Sequence, residues 1–478
     1  MGHDWVRRTV FYQIFPDRFR RSGRVRSGGE FEEWDAPETP HGFKGGDLPG
    51  VEDRLDHLAD LGVNAIYFTP VFKSTANHRY HTFDYLEVDP ILGGDAALKS
   101  LLHAAHARGL RVVLDGVFNH CSRGFFQFNH LLENGAASPY RDWFHAGSFP
   151  LKAYNLAPGE EPNYGCWWGL PALPKFNTAH PEVRRFIFDV ARRWLEFGID
   201  GWRLDVPTEI DDDAFWREFR RICKGVNPDC YLVGEIWTDA RRWLRGDMFD
   251  GVMNYLLPAA VMGYFAGEKM RVSISYGGRA LAPLGEAAFR GEIRRILDLY
   301  PLSVALSQMN IMTSHDTDRM RDAYGGDERL LRLGLVFTMA FPGAPNVYYG
   351  EEVGLEGLFN HGARQGMPWD EGRWDRGLLD LYRKLIRLRR TRPALADGEF
   401  ELLDIPGTKD LIACRRWDGS GELLFLLNRA AGTQCVQLDR VAGSFRELIA
   451  SNEHPLSPEG GLSLELEPFG YAVLEAPV

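Results

Sequence analysis

Eight short apolar runs punctuate the first 350 residues, and their pattern restricts the fold more than any other feature of the chain. They read TVFYQIF (9–15), VNAIYFTPVF (63–72), LRVVLDGVF (110–118), IDGWRLD (199–205), YLVGEIW (231–237), GVMNYLL (251–257), NIMTS (310–314) and NVYYG (346–350). A strand with one wet face alternates apolar and polar residues. These runs are nearly continuous, as parallel strands covered on both faces require. Helical patterns lie between them. Residues 182–198 put Val183, Phe186, Ile187, Val190, Trp194 and Phe197 on one face, and Gly198 supplies the stop. Residues 96–109 end on glycine in the same way. Eight buried strands alternating with helices predict an α/β fold, a (β/α)8 TIM barrel. A doubly wound open sheet is the competing arrangement; eight strands without a Gly-rich phosphate fingerprint speak against it.

Two stretches break the alternation. Between the third and fourth strands, roughly 121–181, the chain is rich in Gly, Pro, Asn and aromatic residues, and a connection of that length predicts a lid subdomain. After the helical pattern at 377–390 the character changes to DLIACRRWDGSGELLFLLNRA, two β-rich runs joined by DGSG, and then to the alternating tail LSLELEPFGYAVLEA. These predict a separate antiparallel β module. The expected organisation is barrel over 1–120, lid over 121–175, barrel again over 176–394 and β module over 395–478.

A net charge of -11 argues against nucleic acid as a partner. No run of 18 or more apolar residues suggests a membrane span. The six cysteines, Cys121, Cys166, Cys223, Cys230, Cys414 and Cys435, form no C-x-x-C pair and no metal-ligand spacing, which predicts buried free thiols in a reducing compartment. The N-terminus reaches its first strand-like run without an apolar leader, so a cytoplasmic location is expected.

The segment GIDGWRLDVPTEI (198–210) places Arg203 and Asp205 among the apolar residues of the fourth strand. Burying either charge unpaired costs several kcal/mol, so the two are mutually satisfied or in use. In a (β/α)8 barrel the catalytic face lies at the C-terminal strand ends. There the third strand delivers Asp115, Asn119 and His120, the fourth Arg203 and Asp205, the fifth Glu235, and the seventh His315 and Asp316. Carboxylates crowded at one mouth raise each other's pKa, which suits chemistry better than a structural core. A metal site is disfavoured because the histidines are scattered with no H-x-x-x-H spacing. Paired carboxylates on a barrel rim suit glycoside cleavage, at about 5–5.5 Å apart for a retaining mechanism. The expected division of labour has Arg203 holding Asp205 ionised, while apolar Ile236 and Trp237 raise the pKa of Glu235. Abundant aromatic residues fit sugar stacking.

The motifs DGVFNH, LPKFN, GWRLDVPTE, GEIW and SHDTDR, in this order and at these separations, resemble those of the alpha-amylase family of glycoside hydrolases. The resemblance runs over nearly the full length and is greatest to the neopullulanase, cyclomaltodextrinase and maltogenic amylase group. It implies Asp205 as nucleophile, Glu235 as general acid/base, and Asp316 as the third carboxylate, gripping hydroxyls of the distorted sugar. It also implies that His120, Arg203 and His315 position sugar and nucleophile, that Asp115 partners the arginine, and that Tyr80 forms the aromatic platform. The excursion then corresponds to the family's domain B and 395–478 to its C-terminal β-sandwich. The implied activity is retaining hydrolysis of α-1,4 bonds in maltooligosaccharides or cyclodextrins, with α-1,6 cleavage or transglycosylation in addition. An α-glucosidase or glucosyltransferase on the same scaffold, and a catalytically dead interaction protein, are the alternatives.

The sequence also departs from the family pattern. The group's N-terminal β domain, which mediates dimerisation, has no counterpart ahead of the first strand. Val206, Pro207, Thr208 and Glu209 stand where many amylases have a Lys-His pair, and His81 where relatives have aspartate. The loop after DRF, which often carries acidic calcium ligands, reads RRSGRVRSGG, so no cofactor is expected and calcium is weakly supported. Trp167, Trp168 and Trp237 are candidates to line the cleft, Trp168 and Trp237 being taken as substrate contacts. Arg364 and Trp369 are candidates to approach the substrate. Glu351 and Glu352 are expected to be structural, and His41, His57, His103, His106 and His454 to be surface or satisfied core histidines. The run RRTR (389–392) is expected to close a helix C-terminus.

Overall fold

The computed structural model describes residues 4–25, 29–272, 275–276, 280–359, 362–438, 445–451 and 462–476. The eight apolar runs form the eight strands of one parallel sheet: β1 (Phe11–Ile14), β2 (Ala65–Phe68), β3 (Arg111–Gly116), β4 (Gly201–Leu204), β5 (Tyr231–Gly234), β6 (Gly251–Val252), β7 (Met309–Ile311) and β8 (Ala344–Tyr348). Neighbours pair in the order β6-β5-β4-β3-β2-β1-β8-β7. The Met253–Met309 bridge and the Asn254 N–H to Met309 carbonyl bond (2.8 Å) close the ring. Nearly every residue of these strands is buried, because the barrel interior is filled on one side and helices cover the other.

The helices α1 (Leu55–Leu61), α2 (Gly94–Ala107), α3 (Pro181–Phe197), α4 (Asp213–Val226), α5 (Leu256–Phe265), α6 (Glu286–Asp298), α7 (Glu328–Ala340) and α8 (Arg376–Thr391) surround the barrel. Gly198 ends α3 at φ 121°, a conformation costly for any residue with a Cβ. The β5–β6 connection is the exception to the alternation, running through turns rather than a helix. The RRTR run does end α8, but Arg389 is fully buried and donates to the Gly343 carbonyl instead of lying on the surface.

The lid holds one nine-residue helix, Phe126–Asn134, and little other regular structure. Aromatic packing of Phe125, Phe128, Phe144, Tyr164 and Phe176 holds it together. Beyond α8, the strands β9 (Glu399–Leu403), β10 (Leu411–Asp418), β11 (Gly421–Asn428), β15 (Tyr471–Ala476) and β13 (Arg446–Ala450) form an antiparallel sheet in that spatial order. A ribbon of β12 (Gln434–Leu438) and β14 (Leu462–Leu466) packs on it through Leu424, Leu426, Val436, Leu464 and Leu474, which makes the sandwich. The DGSG segment turns β10 into β11, with Asp418 opposite Gly421. All six cysteines are free. Four are buried, whereas Cys166 is half-buried and Cys435 exposed, because the latter lies on the two-stranded ribbon rather than in a core. No helix among the described residues is long and apolar enough to cross a membrane. His454 lies outside the described residues.

Candidate active site

The strand ends bring the charged residues together as the barrel topology requires. Asp205 is the first residue past β4 and Glu235 the first past β5, tied by backbone bonds Asp205 N–H to Gly116 O (3.1 Å) and Glu235 N–H to Leu204 O (2.9 Å). Adjacent parallel strands in register therefore hold the two carboxylates side by side. Between them lies Arg203, wholly buried. Its Nη1 donates to both oxygens of Asp115 and to Asp205 Oδ1, each at 2.9 Å, and its Nη2 lies 2.9 Å from Glu235 Oε2.

One guanidinium thus serves three carboxylates, which alters the expected division of labour. Burial raises the Asp205 carboxyl well above its ordinary range, and Glu235 and Asp115 push it further, against the opposing pull of Arg203. Burial also raises Glu235, with Asp316 adding to it. Arg203 does not by itself keep Asp205 ionised, since Asp115 claims it with two hydrogen bonds. The carboxylates titrate as one coupled set. Glu235 carries two further donors: Trp237 Nε1 to Oε1 at 2.9 Å and the Val206 N–H to Oε2 at 3.0 Å. Val206 reaches that position at φ 34°, ψ 52°, an unusual backbone for a β-branched residue.

Opposite this pair, Asp316 keeps 28% of its side chain open to the cleft. Burial works against its charge, but His315 (Nε2 to Oδ2, 3.0 Å), Arg364 (Nη2 to Oδ1, 3.0 Å) and Arg203 outweigh it and hold the carboxyl well below the usual range. Gln13, from β1, lies with Nε2 2.8 Å from His315 Nδ1 and so fixes the orientation of the ring. Tyr80 lies flat on His315, with ring centroids 5.3 Å apart and planes 6° apart, and its hydroxyl donates to Asp115 Oδ2 at 2.8 Å. His120 is buried, and burial brings its imidazole down to about 3, so it is neutral. Its Nδ1 lies 3.2 Å from Asn119 Nδ2, while its Nε2 has no protein partner among the described residues.

Around these groups is a cleft of about 870 Å³. Trp167 and Trp168, from the lid, continue a stack that starts at His120: His120–Trp167 at 5.1 Å and 8°, then Trp167–Trp168 at 4.5 Å and 9°. The outermost ring, Trp168, is 80% exposed and held at φ 52°. On the other wall Trp237 stacks on Tyr255 with centroids 3.6 Å apart. Lys175 of the barrel-side lid boundary pairs with Glu209 past β4 at 2.8 Å. All but one of the residues expected at the site line the cleft or touch one that does. Trp369 does not: its indole N–H bonds the Phe19 carbonyl (2.5 Å) and the ring faces a different cavity. Glu351 and Glu352 are buried structural groups, bonded by Thr313 and Tyr12 respectively. His78, half of the aromatic wall beside Tyr80, was not anticipated, and neither was Gln13.

The two carboxylates thus stand on neighbouring strand ends of the barrel, and the comparisons with known proteins show which family the chain belongs to. Residues 13–376 match the family described as alpha amylase, catalytic domain. The chain belongs to the alpha-amylase family. It is 40% identical over 473 residues to a cyclomaltodextrinase of Geobacillus thermopakistaniensis (strain MAS1), covering 98% of this chain and 77% of that protein. Among solved structures it is similar to Ttha1563 from Thermus thermophilus, at 46% identity and TM-score 0.91, covering 99% of this chain and all 100% of that one. The debranching enzyme of Nostoc punctiforme is 43% identical with TM-score 0.90, covering 99% of each chain. The chain is a glycoside hydrolase of the alpha-amylase family, as its motifs implied.

Proposed function

We propose that the protein hydrolyses α-1,4-glucosidic bonds of maltooligosaccharides and cyclodextrins with retention of configuration, through Asp205 and Glu235. The observation that carries this reading is the shared guanidinium: Asp205 and Glu235 both contact Arg203 at 2.9 Å, so they flank one small volume at the cleft floor. Glu235 protonates the glycosidic oxygen as Asp205 attacks C1. The C1–O bond to the leaving sugar breaks and a glycosyl ester forms. Water then loses a proton to Glu235, attacks C1 and releases Asp205 as carboxylate, and the two inversions restore the starting configuration. A single positive charge among Asp115, Asp205 and Glu235 favours a state with one proton on the set, which is the state this sequence of steps starts from.

Asp316, kept ionised by His315 and Arg364, accepts from two hydroxyls of the sugar at the cleavage point, and His120 Nε2–H donates to a third. Tyr80 supplies the aromatic face, and Trp237 and Trp168 extend the apolar walls to neighbouring sugars. The name of the Nostoc relative, a debranching enzyme, supports extending the reading to α-1,6 bonds. We further propose that no metal takes part. Against the basic loop, Asp47 already accepts from the Gly50 and Ser22 N–H groups and the Ser22 hydroxyl, and Arg24 of the loop is placed on Asp53 and the Pro49 carbonyl. The six free cysteines support a cytoplasmic residence. The test is product analysis on maltotriose, β-cyclodextrin and pullulan, with the anomer released read by NMR. Release of the α-anomer, abolished in Asp205→Asn, is expected. Release of the β-anomer, or full activity in that variant, overturns the assignment.

A further inference from the structure

The loops that follow β1 and β8 line a second cavity, of about 460 Å³, that shares no lining residue with the catalytic cleft. Four arginines line it, Arg20, Arg21, Arg54 and Arg373, against two aspartates. A pocket with an excess of positive charge is unexpected in a chain of net charge -11. The partners of these groups sharpen the point. Asp35 is taken by Arg373 at 2.6 Å, and Asp370 accepts from the Gly372 N–H at 3.0 Å. Arg21 spends its N–H groups on the carbonyls of Lys44 and Glu32, so its charge meets no carboxylate there. The side chains of Arg20 and Arg54 have neither a hydrogen bond nor an ion pair among the described residues, and Arg20 Nε is buried without an acceptor. A buried N–H left unpaired is costly, and its usual remedy is a ligand or water.

The aromatic residues fix where a ligand would sit. Arg54 lies over the face of Trp369, 4.3 Å from the ring centroid. The Trp369 ring is itself locked by its bond to the Phe19 carbonyl and by edge contacts with Phe19 and His57 at 5.0 and 5.2 Å. The guanidinium is therefore oriented before any anion arrives, with its N–H groups free. Trp34 is anchored by Nε1 to the Met367 carbonyl at 2.9 Å and forms an apolar wall. Burial, and after it the charge of Arg20, lowers the pKa of Arg54 against the opposing pull of Asp53 and Glu371, and a bound anion would relieve that crowding. Its volume suits a small molecule, since pockets of about 300–1,000 Å³ hold ligands of that size.

We propose that this cavity binds a phosphate monoester, with Arg20 and Arg54 gripping the phosphoryl oxygens and Trp34 walling the sugar that carries it. Guanidinium forks match phosphate geometry, and paired arginines give specificity over a neutral sugar. The assignment is independent of the catalytic reading, because no residue is common to both sites. It is tested by isothermal titration of the intact protein with glucose 6-phosphate, inorganic phosphate and glucose at one ionic strength held by NaCl. The expected result is one site per chain for the phosphate-bearing ligands and none for glucose outside the cleft. Arg20→Gln and Arg54→Gln each weaken binding about tenfold or more, and Arg54→Lys less, with maltotriose hydrolysis and thermal midpoint unchanged. Tighter binding of glucose 6-phosphate than of inorganic phosphate supports the sugar ester as the ligand; equal binding shows that the sugar makes no contact and overturns the monoester assignment. Absence of binding in the wild-type protein, or binding undiminished in both glutamine variants, overturns the proposal.

Discussion

Trp237→Phe separates the role of an indole N–H from that of an indole face. Phenylalanine keeps an aromatic ring against Tyr255, where Trp237 now stacks at 3.6 Å, but removes the donor that meets Glu235 Oε1 at 2.9 Å. That donor stabilises the ionised form of Glu235, whose carboxyl burial already raises. A hydrogen bond to a charged group contributes about 1.5–3 kcal/mol, and one pKa unit corresponds to about 1.4 kcal/mol. The Val206 N–H and Arg203 remain on Oε2 and absorb part of the loss, so a rise of about one unit is expected. Glu235 must be protonated to act as acid, and kcat/KM falls above the pKa of that acid in the free enzyme. The basic limb of the kcat/KM profile on maltotriose should therefore move up by about one pH unit. The variant then outlasts the wild type at alkaline pH even if its peak is lower. A basic limb that stays put, or moves down, refutes the reasoning: either Glu235 is not the acid or the indole bond does not tune it.

Asp205→Asn should lower kcat by about 10⁴-fold or more on every substrate. The same variant should raise the thermal midpoint at neutral pH and lose that advantage in acid. A carboxyl whose folded pKa is raised binds more protons folded than unfolded, so its cost to stability appears as pH climbs through the window above the ordinary aspartate value; calorimetry at several pH values reads it. Trp168→Ala should raise KM for long maltooligosaccharides several-fold while kcat and stability stay within error, because the ring is 80% exposed and touches only Trp167 in its stack; steady-state kinetics against chain length checks this. Dialysis against a chelator should leave activity and thermal midpoint unchanged, since the carboxylate of Asp47 is already satisfied by Ser22 and Gly50.

The barrel was readable because its strands are buried on both faces, and continuous apolar runs carry that signal without any tertiary information. The strand-end charges were readable for the converse reason: Arg203 and Asp205 are conspicuous where the surroundings are apolar. By the same logic Gln13 was within reach. It is the one amide in the run TVFYQIF, it is wholly buried, and it reaches the ring of His315 from β1, two strands away around the barrel. A neutral amide buried inside a strand needs a partner just as a charge at a strand end does, and is as conspicuous among apolar neighbours. What could not be read from local pattern was how charge is shared. Two residues apart on one strand, Arg203 and Asp205 look like a private pair. Only the parallel register that sets Asp115 opposite Arg203, and Gly234 opposite Leu204, brings Asp115 and Glu235 to the same guanidinium. A private pair would fix Asp205 as permanently ionised. A guanidinium divided three ways instead leaves a mobile proton in the cluster, and a retaining hydrolase needs that proton to move onto the leaving oxygen and return from water in each turnover.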